Sequence, residues 1–268
     1  MNDVIIIGAG PAGAAAALTL CAHGRSVLVI AGEHRDSGLF KAKRIDNYPG
    51  MPGVSGAELL SLIDAQLAAC GAQIVRGVAV SAAKLKSSLM VSVGADAYSA
   101  RALILAVGAV RGAAFPGEEQ LLGRGVSYCA VCDGAFYKGK RVVVLAMRSN
   151  AEDEAETLRR LGCLVTVVEP KGKSIKLEGE SRLRAVQVDD DTLEAECAFI
   201  LRPAVAPDSL LPGLALADGA IQTDRACRTN IDAVYAAGDC AGKPLQIAKA
   251  VGDGLIAAFS VNDALSSS

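Results

Sequence analysis

The stretch Val4-Ile5-Ile6-Ile7-Gly8-Ala9-Gly10-Pro11-Ala12-Gly13 decides the fold of this chain, because it joins an apolar β-branched run to a glycine-rich turn. The residues that follow, Ala14 to Ala22, have the composition of a buried helix, and a second apolar run occupies Val27 to Ile30. A strand, a helix and a second strand of these lengths predict one β-α-β unit of a parallel sheet. In such a unit the first glycine permits a tight turn, the second lets the backbone approach a pyrophosphate, and the third lets helix and strand pack closely.

An acidic residue, Glu33, follows the second apolar run and lies twenty residues after Gly13. A carboxylate at this distance binds the ribose of a dinucleotide in folds of this type. A glycine-rich turn that binds no ligand is the alternative, but the strand, the turn, the helix and the acid all stand where a cofactor needs them. The sequence therefore predicts cofactor contacts from this acid and from the residues of the turn: Gly8, Gly10, Pro11, Ala12, Gly13 and Glu33.

A second strand-helix-strand pattern begins near Lys140, in the middle of the chain. After it, the segment from Lys173 to Ile200 alternates in polarity and turns often, which predicts antiparallel strands. The remaining predicted elements are the helix Ala57–Ala69, the strands Leu103–Gly108, Arg141–Leu145, Leu164–Val168 and Ala233–Ala237, the helix Glu152–Leu161, and a helix from Ile247 to about Leu265.

This order of elements predicts an α/β protein with two Rossmann-like domains of the three-layer ββα type found in dinucleotide-binding proteins. The second domain is expected to be inserted in the first and to be degenerate. The expected boundaries are 1–109 together with 226–268 for the cofactor-binding domain, and 110–225 for the inserted domain.

Two thiols stand three positions apart in Cys129-Ala130-Val131-Cys132-Asp133, with a carboxylic acid beside the second. This spacing can close a reducible disulfide, and a neighbouring acid can move the proton that thiol–disulfide exchange requires. A structural zinc half-site is one alternative, but the only histidines are His23 and His34 and no second close cysteine pair exists. A permanent disulfide and two buried, inert thiols are the others. The sequence favours a catalytic pair and predicts no metal site.

The composition argues against several classes of function. Aromatic residues make up 4% of the 268 residues and tryptophan is absent, which is unlike a surface that stacks nucleic-acid bases. The formal net charge of −2 gives no global field that would attract nucleic acid or an anionic membrane. The uncharged run from Val4 to Ala22 is interrupted by glycine and proline, so we predict neither a targeting signal nor a membrane anchor. The eight cysteines are scattered along the chain, which favours a reducing, cytoplasmic location.

The stretch Thr229-Asn230-Ile231-Asp232-Ala233-Val234-Tyr235-Ala236-Ala237-Gly238-Asp239 resembles the second FAD signature of the flavoprotein disulfide reductases. Asn47-Tyr48-Pro49-Gly50 resembles the loop that places an asparagine beside the isoalloxazine in that family, and Gln246 stands where the family brings polar groups to the flavin. With the thiol pair, these stretches make essentially the whole chain similar to the low-molecular-weight thioredoxin reductases. The resemblance implies FAD contacts from further residues: Asn47, Ala106, Gly108, Gly238, Asp239, Gln246, Ile247 and Ala248.

The same resemblance implies separate roles for the residues of the thiol pair. Cys132 would be the sulfur that faces the flavin, Cys129 would attack the disulfide of thioredoxin, and Asp133 would act as the general acid. It also implies a homodimer.

One stretch departs from the NADPH-dependent members of that family. Their second fingerprint has glycines directly after a strand that here ends at Leu145, whereas this chain has Ala146-Met147-Arg148-Ser149-Asn150-Ala151. Side chains at Met147 and Arg148 would stand where a pyrophosphate needs bare backbone. The turn after the next strand, Glu169 to Lys173, begins with an acid instead of the arginines that bind a 2′-phosphate. We therefore expect that NADPH is not the reductant.

The chain resembles instead the ferredoxin-dependent flavin thioredoxin reductases, a branch without a pyridine-nucleotide site. This similarity is carried by Leu122 to Cys129, Ala206 to Leu214 and Gly242 to Gln246. It implies that reduced ferredoxin supplies single electrons, that FAD stores them, and that the cysteine pair passes them to thioredoxin. Three alternatives remain: an NADPH-dependent thioredoxin reductase with an atypical nucleotide site, a diflavin disulfide oxidoreductase, and a non-catalytic flavin-binding redox sensor.

Ferredoxins are usually acidic, so the resemblance implies a basic docking surface on this chain despite its negative net charge. The candidates are lysines and an arginine near the expected flavin: Lys41, Lys43, Arg44, Lys243 and Lys249. The alternative is that these residues serve only solubility.

Overall fold

The computed structural model describes residues 1–109 and 114–267. The chain divides into two compact units, Met1–Val110 with Ala204–Ser268 as unit 1, and Arg111–Pro203 as unit 2. Residues 204–225, which the sequence analysis assigned to the inserted domain, therefore group with unit 1. Asn230 explains this grouping, because its side chain accepts a hydrogen bond from the amide of Ala215 and donates one to the carbonyl of Gly213, each at 2.8 Å.

The first part of unit 1 alternates strands and helices before a run of antiparallel strands. Its elements are β1 (Asn2–Ile7), α1 (Pro11–Ala22), β2 (Val27–Ala31), α2 (Gly56–Ala69), β3 (Gln73–Arg76), β4 (Ala79–Lys84), β5 (Leu89–Val93) and β6 (Asp96–Leu105).

Unit 2 contains the next elements in chain order. They are α3 (Glu118–Leu121), β7 (Val126–Ser127), α4 (Ala130–Asp133), β8 (Arg141–Ala146), α5 (Ala151–Arg160), β9 (Leu164–Val168), β10 (Ile175–Glu178), β11 (Ala185–Val188), β12 (Asp191–Glu194) and β13 (Cys197–Leu201). The chain then returns to unit 1 with α6 (Pro207–Leu210), β14 (Leu216–Ala217), β15 (Ala220–Ile221), β16 (Val234–Ala236) and α7 (Ile247–Ser266).

The main sheet of unit 1 is parallel around β1. Its strand order is β3-β2-β1-β6-β5-β4, and β16 also pairs with β6. β1 lies between β2 and β6 and is parallel to both, with Ile5 opposite Leu28 on one side and Leu103 on the other. β6 is long because it pairs with two further strands besides β1: its first half pairs antiparallel with β5, and its second half pairs parallel with β16. The predicted α/β class with Rossmann-like parallel sheets is confirmed.

Small residues let the helices of unit 1 approach one another and the sheet very closely. A β-carbon added at Gly254, in α7, would lie 2.1 Å from the carbonyl oxygen of Ala12 in α1. The two helices pack over a core that includes buried alanines of α1 and α7 and the inner face of β1. This contact fixes the start of α1 relative to α7.

Unit 2 has a four-stranded parallel sheet in the order β7-β13-β8-β9 and a separate three-stranded antiparallel sheet, β10-β11-β12. The prediction of antiparallel strands from Lys173 to Ile200 is confirmed for that second sheet. It is wrong for Cys197–Leu201, because β13 runs parallel to β8 and to β7. The physical reason is burial: all five residues of β13 are buried, and a continuous apolar run of this kind is typical of a central parallel strand.

Among the helices of the described residues, none is both long enough and apolar enough to cross a membrane.

We predict that Gly254→Ala lowers the free energy of unfolding by about 1–3 kcal/mol, because the added methyl group overlaps the backbone of α1 and forces the helices apart. Urea unfolding followed by circular dichroism measures the change. Gly252→Ala, in the same helix, is the matched control, since a β-carbon there meets nothing within 4 Å. The control should be neutral or stabilising by roughly 0.5–1 kcal/mol. Equal stability of both variants would contradict the close contact between α1 and α7.

Candidate active site

The predicted glycine turn has the geometry that each glycine was expected to supply. Gly8 has φ +114°, and a β-carbon there would lie 2.1 Å from the carbonyl oxygen of Ala106. A β-carbon on Gly13 would lie 1.8 Å from the carbonyl oxygen of Gly8, so this glycine lets α1 pack against the end of β1. In front of Gly10, by contrast, a β-carbon would meet nothing within 4 Å. The turn is therefore closely packed at Gly8 and Gly13 and open at Gly10, where a ligand would approach.

The N-terminus of α1 is suited to an anion. Its N-cap is Gly10, which makes no side-chain capping hydrogen bond, and Pro11 follows in the first turn. No acidic residue lies in that turn. The first N–H groups of a helix have no acceptor within the helix, and they carry the positive end of its dipole. These residues fit the pyrophosphate of a dinucleotide, which needs N–H donors and open backbone.

The carboxyl ends of the parallel strands bring other predicted residues to the same edge of the sheet. Gly8 follows β1, and its amide donates to the carbonyl of Ile30 in β2 at 2.8 Å. Glu33 follows β2 and is exposed. Ala106 follows β6 and donates to the carbonyl of Ile7, while Gly108 has φ +73° and open space around its α-carbon. The strands therefore place these residues around the start of α1.

The 3-10 turn Gly238–Ala241, which contains Asp239, lies against α1 and α7. Gly238 has φ +82°, and a β-carbon there would lie 2.8 Å from the β-carbon of Ala12 and 3.5 Å from that of Ala250. The first turns of α1 and α7 therefore lie side by side behind this glycine. As in α1, no acidic residue lies in the first turn of α7, and its N-cap, Gln246, makes no side-chain capping bond.

Two side chains of α7 hold this turn in place. Lys249 Nζ donates to the carbonyl oxygens of Gly238 at 2.8 Å and Gly242 at 2.9 Å, and it pairs with Asp253 Oδ2 at 2.7 Å. The same carboxylate oxygen accepts the amide of Gly238 at 3.0 Å. We call this arrangement the Lys249–Asp253 clip. The expectation that Lys249 belongs to an exposed docking surface is wrong, because its side chain is 20% exposed and its ammonium group serves the clip.

Asn47 and Gln246, which are 199 residues apart in sequence, meet directly. Asn47 Nδ2 donates to Gln246 Oε1 at 2.8 Å, and both residues are exposed. The bond joins the loop of Asn47 to the segment that begins α7 with Ile247 and Ala248. The structure thus brings together two residues that sequence similarity assigned to the flavin ring.

Cys240, beside Asp239, has the role of a buried structural thiol. Its Sγ lies 3.2 Å from the carbonyl oxygen of Leu105 and 3.3 Å from that of Ala237, so both are within reach of its single proton. Burial raises the pKa of this thiol to about 11, so it stays protonated near neutral pH. A protonated thiol is a poor nucleophile.

In unit 2, Cys129 and Cys132 form a disulfide, with their α-carbons 5.4 Å apart. Cys129 is the N-cap of the short helix α4, and its Sγ accepts the amide N–H of Cys132 at 3.1 Å. Cys129 is 8% exposed, whereas Cys132 is partly exposed. The backbone thus supplies a hydrogen bond to the sulfur of Cys129 that would stabilise negative charge there.

Asp133 is held by a residue that the sequence analysis did not single out. Its Oδ2 accepts a hydrogen bond from Ser127 Oγ at 2.7 Å. Ser127 lies in β7 and is buried, and its Oγ accepts the amide of Cys129 at 3.1 Å. The signal in the sequence was its place in the Leu122–Cys129 stretch, two residues before the first cysteine.

The other two cysteines of unit 2, Cys163 and Cys197, are free and buried. Cys163 Sγ donates to the carbonyl of Gly134 at 3.5 Å, which anchors the backbone just after Asp133. Burial raises the pKa of Cys197 to about 12, and burial likewise raises the pKa of Tyr137 to about 12. Both groups therefore stay protonated and uncharged.

Two apolar side chains near the disulfide are exposed to solvent. Phe136 is 74% exposed and Val131, between the two cysteines, is 49% exposed. Exposure of a large aromatic side chain beside a reactive group is typical of a surface that binds a protein.

The turn between β8 and α5, where a second dinucleotide would bind, is occupied by protein side chains. The side chain of Arg148 is 7% exposed; it pairs with Glu154 in the first turn of α5 and donates to the carbonyl of Arg202 at 3.3 Å. Beneath it, Arg202 Nη2 donates to the buried Glu118 at 2.8 Å. The first turn of α5 holds the acids Glu152, Asp153 and Glu154. Its electrostatics are thus opposite to those of α1 and α7.

Across the described residues, no group of three or more histidine, cysteine, aspartate or glutamate side chains is arranged to hold a metal ion.

Comparison with known proteins agrees with this geometry. A family model described as pyridine nucleotide-disulphide oxidoreductase matches residues 2–185 and 171–254. The thioredoxin reductase of Bacillus subtilis is 33% identical over an alignment 297 residues long, gaps included. The alignment covers 97% of this chain and 93% of that protein. Two crystal structures of a ferredoxin-flavin thioredoxin reductase from Clostridium acetobutylicum are 33% and 31% identical, with TM-scores of 0.87 and 0.92; they cover 100% and 99% of this chain, and the match covers 99% and 98% of theirs. The chain therefore belongs to the pyridine nucleotide-disulphide oxidoreductase family and, within it, to the thioredoxin reductases, which are flavoprotein disulfide reductases.

Proposed function

We propose that this thioredoxin reductase takes its electrons from reduced ferredoxin, and that FAD bound by unit 1 passes them to the Cys129–Cys132 disulfide and so to thioredoxin. The observation that carries the choice of donor is the occupied turn between β8 and α5. The similarity to the Clostridium acetobutylicum ferredoxin-flavin enzyme supports the same choice.

The residues of unit 1 fit FAD. The open backbone at Gly10 and the uncapped start of α1 would receive the pyrophosphate, and Glu33 would bind the ribose. Asp239 would contact the ribityl-pyrophosphate region, and the bonded pair Asn47 and Gln246 would lie beside the ring. When bound, FAD can accept electrons singly and release them in pairs, which is the chemistry needed between a one-electron donor and a disulfide.

The turn between β8 and α5 argues against a nicotinamide dinucleotide as donor. A pyrophosphate there would have to displace Arg148 from Glu154 and from the carbonyl of Arg202. It would then face the carboxylates of Glu152 and Asp153 as well. Like charges brought together at a binding site cost several kcal/mol, which corresponds to a loss of about a hundredfold or more in affinity.

The Cys129–Cys132 pair can pass two electrons to the disulfide of a protein substrate. Reduction of the Cys129–Cys132 disulfide consumes two electrons and two protons, and two molecules of a one-electron donor supply that pair. We assign the attack on thioredoxin to Cys129, because the amide of Cys132 donates to its sulfur and stabilises a thiolate there. Cys132 is assigned to the flavin side and Asp133 to proton transfer. Since Cys129 is 8% exposed, it must become more accessible before it meets a protein substrate.

The surface around the disulfide supports a protein as the acceptor. Phe136 and Val131 offer exposed apolar area beside the reactive sulfurs. A small, buried pocket would suit a small disulfide better than these protruding side chains do. Thioredoxin, the substrate named for the relatives, is therefore the proposed acceptor.

The surface near Asn47 and Gln246 supports docking of an acidic donor. Lys41 and Lys43 are exposed on the loop of Asn47, and Lys243 is exposed just before Gln246. The hydrogen bond between Asn47 and Gln246 brings the two segments together, so that the lysines flank one surface. Arg44 contributes less, because it is paired with Asp46 at 2.9 Å.

We further propose that the enzyme acts as a homodimer in the cytoplasm. The exposed face of α7 supports a second copy, since it carries the apolar side chains of Leu255, Ile256 and Phe259, each more than 40% exposed. A reducing compartment is consistent with a disulfide that must cycle.

The donor is tested by mixing the FAD-loaded protein with each reductant without oxygen and following the flavin absorption band. Reduced ferredoxin should bleach the flavin at least about a hundredfold faster than NADPH at equal concentration, since a pyrophosphate meets the acids of α5. Rapid bleaching by NADPH would overturn the proposed donor and favour an NADPH enzyme with an atypical site. Cys132→Ser is the control for the later steps: ferredoxin should still bleach its flavin, but thioredoxin should not be reduced. Two FAD molecules per chain would instead indicate the diflavin alternative.

The Lys249–Asp253 clip predicts a loss of cofactor when it is opened. Lys249→Met removes hydrogen bonds from a charged donor to two carbonyl oxygens of the Asp239 turn, which are worth about 1.5–3 kcal/mol. FAD should therefore dissociate about tenfold to a hundredfold more readily, as measured by the fluorescence of released flavin. Lys86→Met, at an exposed lysine of the β4–β5 turn, should leave the affinity unchanged. Unchanged affinity in Lys249→Met would remove the clip from the cofactor site.

The proposed docking surface predicts a salt-dependent defect. The double variant Lys41→Glu and Lys43→Glu should slow flavin reduction by ferredoxin about tenfold at low ionic strength, because electrostatic steering is lost. The difference from wild type should shrink as salt is added, since exposed charges are screened. Lys171→Glu with Lys173→Glu makes the same change of charge on an exposed turn of unit 2 and is the matched control. Equal defects in both double variants would show that net charge, and not this surface, sets the rate.

A further inference from the structure

We propose that Ser127 is a positioning residue for Asp133, and that its hydroxyl group decides which carboxylate oxygen carries the proton exchanged with the thiol pair. This inference rests on the proposed role of Asp133 in proton transfer. Neither the cysteine motif nor the comparisons assign a role to this serine. The contacts that carry the inference all lie within unit 2.

The position of the Ser127 side chain is fixed by contacts other than the one to Asp133. It lies in β7, opposite Phe199 of the parallel strand β13, and is 6% exposed. Its Oγ accepts the amide of Cys129 at 3.1 Å, which ties the hydroxyl to the backbone of the first cysteine. A buried hydroxyl held in this way has little rotational freedom and presents its proton in a defined direction.

The single proton of the hydroxyl has two acceptors in reach, and the distances decide between them. Asp133 Oδ2 lies 2.7 Å from Ser127 Oγ, whereas the carbonyl oxygen of Cys129 lies at 3.4 Å. A hydroxyl can donate only once, and a bond to a carboxylate is shorter and stronger than one to a carbonyl. The serine therefore donates to Oδ2, and Oδ1 is left to take and release a proton.

The proton balance of substrate reduction uses this arrangement. As Cys129 attacks the substrate disulfide, its thiol proton passes to Asp133 Oδ1. The electron pair of the Cys129 sulfur forms the mixed disulfide, and the pair of the broken substrate S–S bond leaves with the released sulfur. That sulfur then takes the proton from Oδ1, while the Ser127 hydroxyl continues to donate to Oδ2. Cys132 finally attacks the sulfur of Cys129 in the mixed disulfide and re-forms the Cys129–Cys132 disulfide; the electron pair of the broken bond leaves with the second substrate sulfur, which takes the proton of the Cys132 thiol. The dithiol thus supplies the two electrons and two protons that the substrate gains.

The experiment measures a single turnover in which enzyme reduced in advance by an artificial one-electron donor reduces thioredoxin disulfide. Ser127→Ala should slow this step about tenfold or more, because the charge-assisted bond is lost. Ser127→Thr keeps the hydroxyl and should restore the rate, which a merely structural role for the serine would not require.

A double-mutant cycle separates positioning from a general effect on the fold. If Ser127 acts through Asp133, Ser127→Ala should add little to the defect of Asp133→Asn. Additive effects of the two changes, or a Ser127→Thr variant as slow as Ser127→Ala, would overturn the inference. Should Ser127→Ala fail to fold, Ser127→Gly takes its place in the cycle, since it also removes the hydroxyl and adds no thiol beside the redox pair.

The same assay distinguishes failure of the inference from failure of the proposed function. Wild-type enzyme that cannot reduce thioredoxin under these conditions would remove the thioredoxin reductase function itself. Wild-type activity with an unaffected Ser127→Ala variant would remove only the role of the serine. The artificial donor makes both outcomes independent of whether ferredoxin is the natural reductant.

Discussion

The close approach of α1 to its neighbours is the constraint on which the cofactor-binding unit depends. Gly13 lets the helix rest on the carbonyl of Gly8, and Gly254 lets α7 rest on the carbonyl of Ala12. Neither contact tolerates a β-carbon, so the starts of two helices are forced into one place. Because both starts are uncapped and free of acids, their N–H groups and dipoles act on the same small volume. Packing in the core thus creates the electrostatics of the site.

Unit 2 also has a helix that follows a parallel strand, but the start of this helix does not favour an anion. Its α5 also follows the central parallel strand β8, but its first turn is acidic and Arg148 is folded onto Glu154. The acids stabilise α5 through its dipole and at the same time repel a phosphate. The proposed donor follows from this difference: if no hydride carrier binds unit 2, the electrons have to come from a protein that docks on a surface of the enzyme. The exposed lysines on the loop of Asn47 would offer such a surface on unit 1.

The sequence was sufficient for features that follow from local spacing. The glycine turn and the thiol pair could be predicted because a tight turn and a small disulfide ring each require residues at fixed separations. Features that depend on distant partners could not. Lys249 looked like a surface lysine because only the fold places it beside Gly238 and Gly242. Ser127 looked ordinary because the fold alone brings its hydroxyl to Asp133. The direction of β13 was misjudged because the strands that bury it and pair with it in parallel, β8 and β7, lie far away in sequence.

Burial explains how a chain with many thiols directs its chemistry to one pair. Desolvation raises the pKa of Cys21, Cys197, Cys227 and Cys240 to about 11 or 12, and without a thiolate these sulfurs do not attack disulfides. Cys129 is also largely buried, yet it differs in receiving an amide hydrogen bond at sulfur and in being linked to the Asp133 carboxylate through the Ser127 hydroxyl. Burial therefore makes a thiol unreactive only where no hydrogen bond to the sulfur offsets the lost solvation of the thiolate. At Cys129 the backbone of α4 supplies such a hydrogen bond, so the reactivity proposed for this cysteine would be set by a few fixed hydrogen bonds and not by exposure.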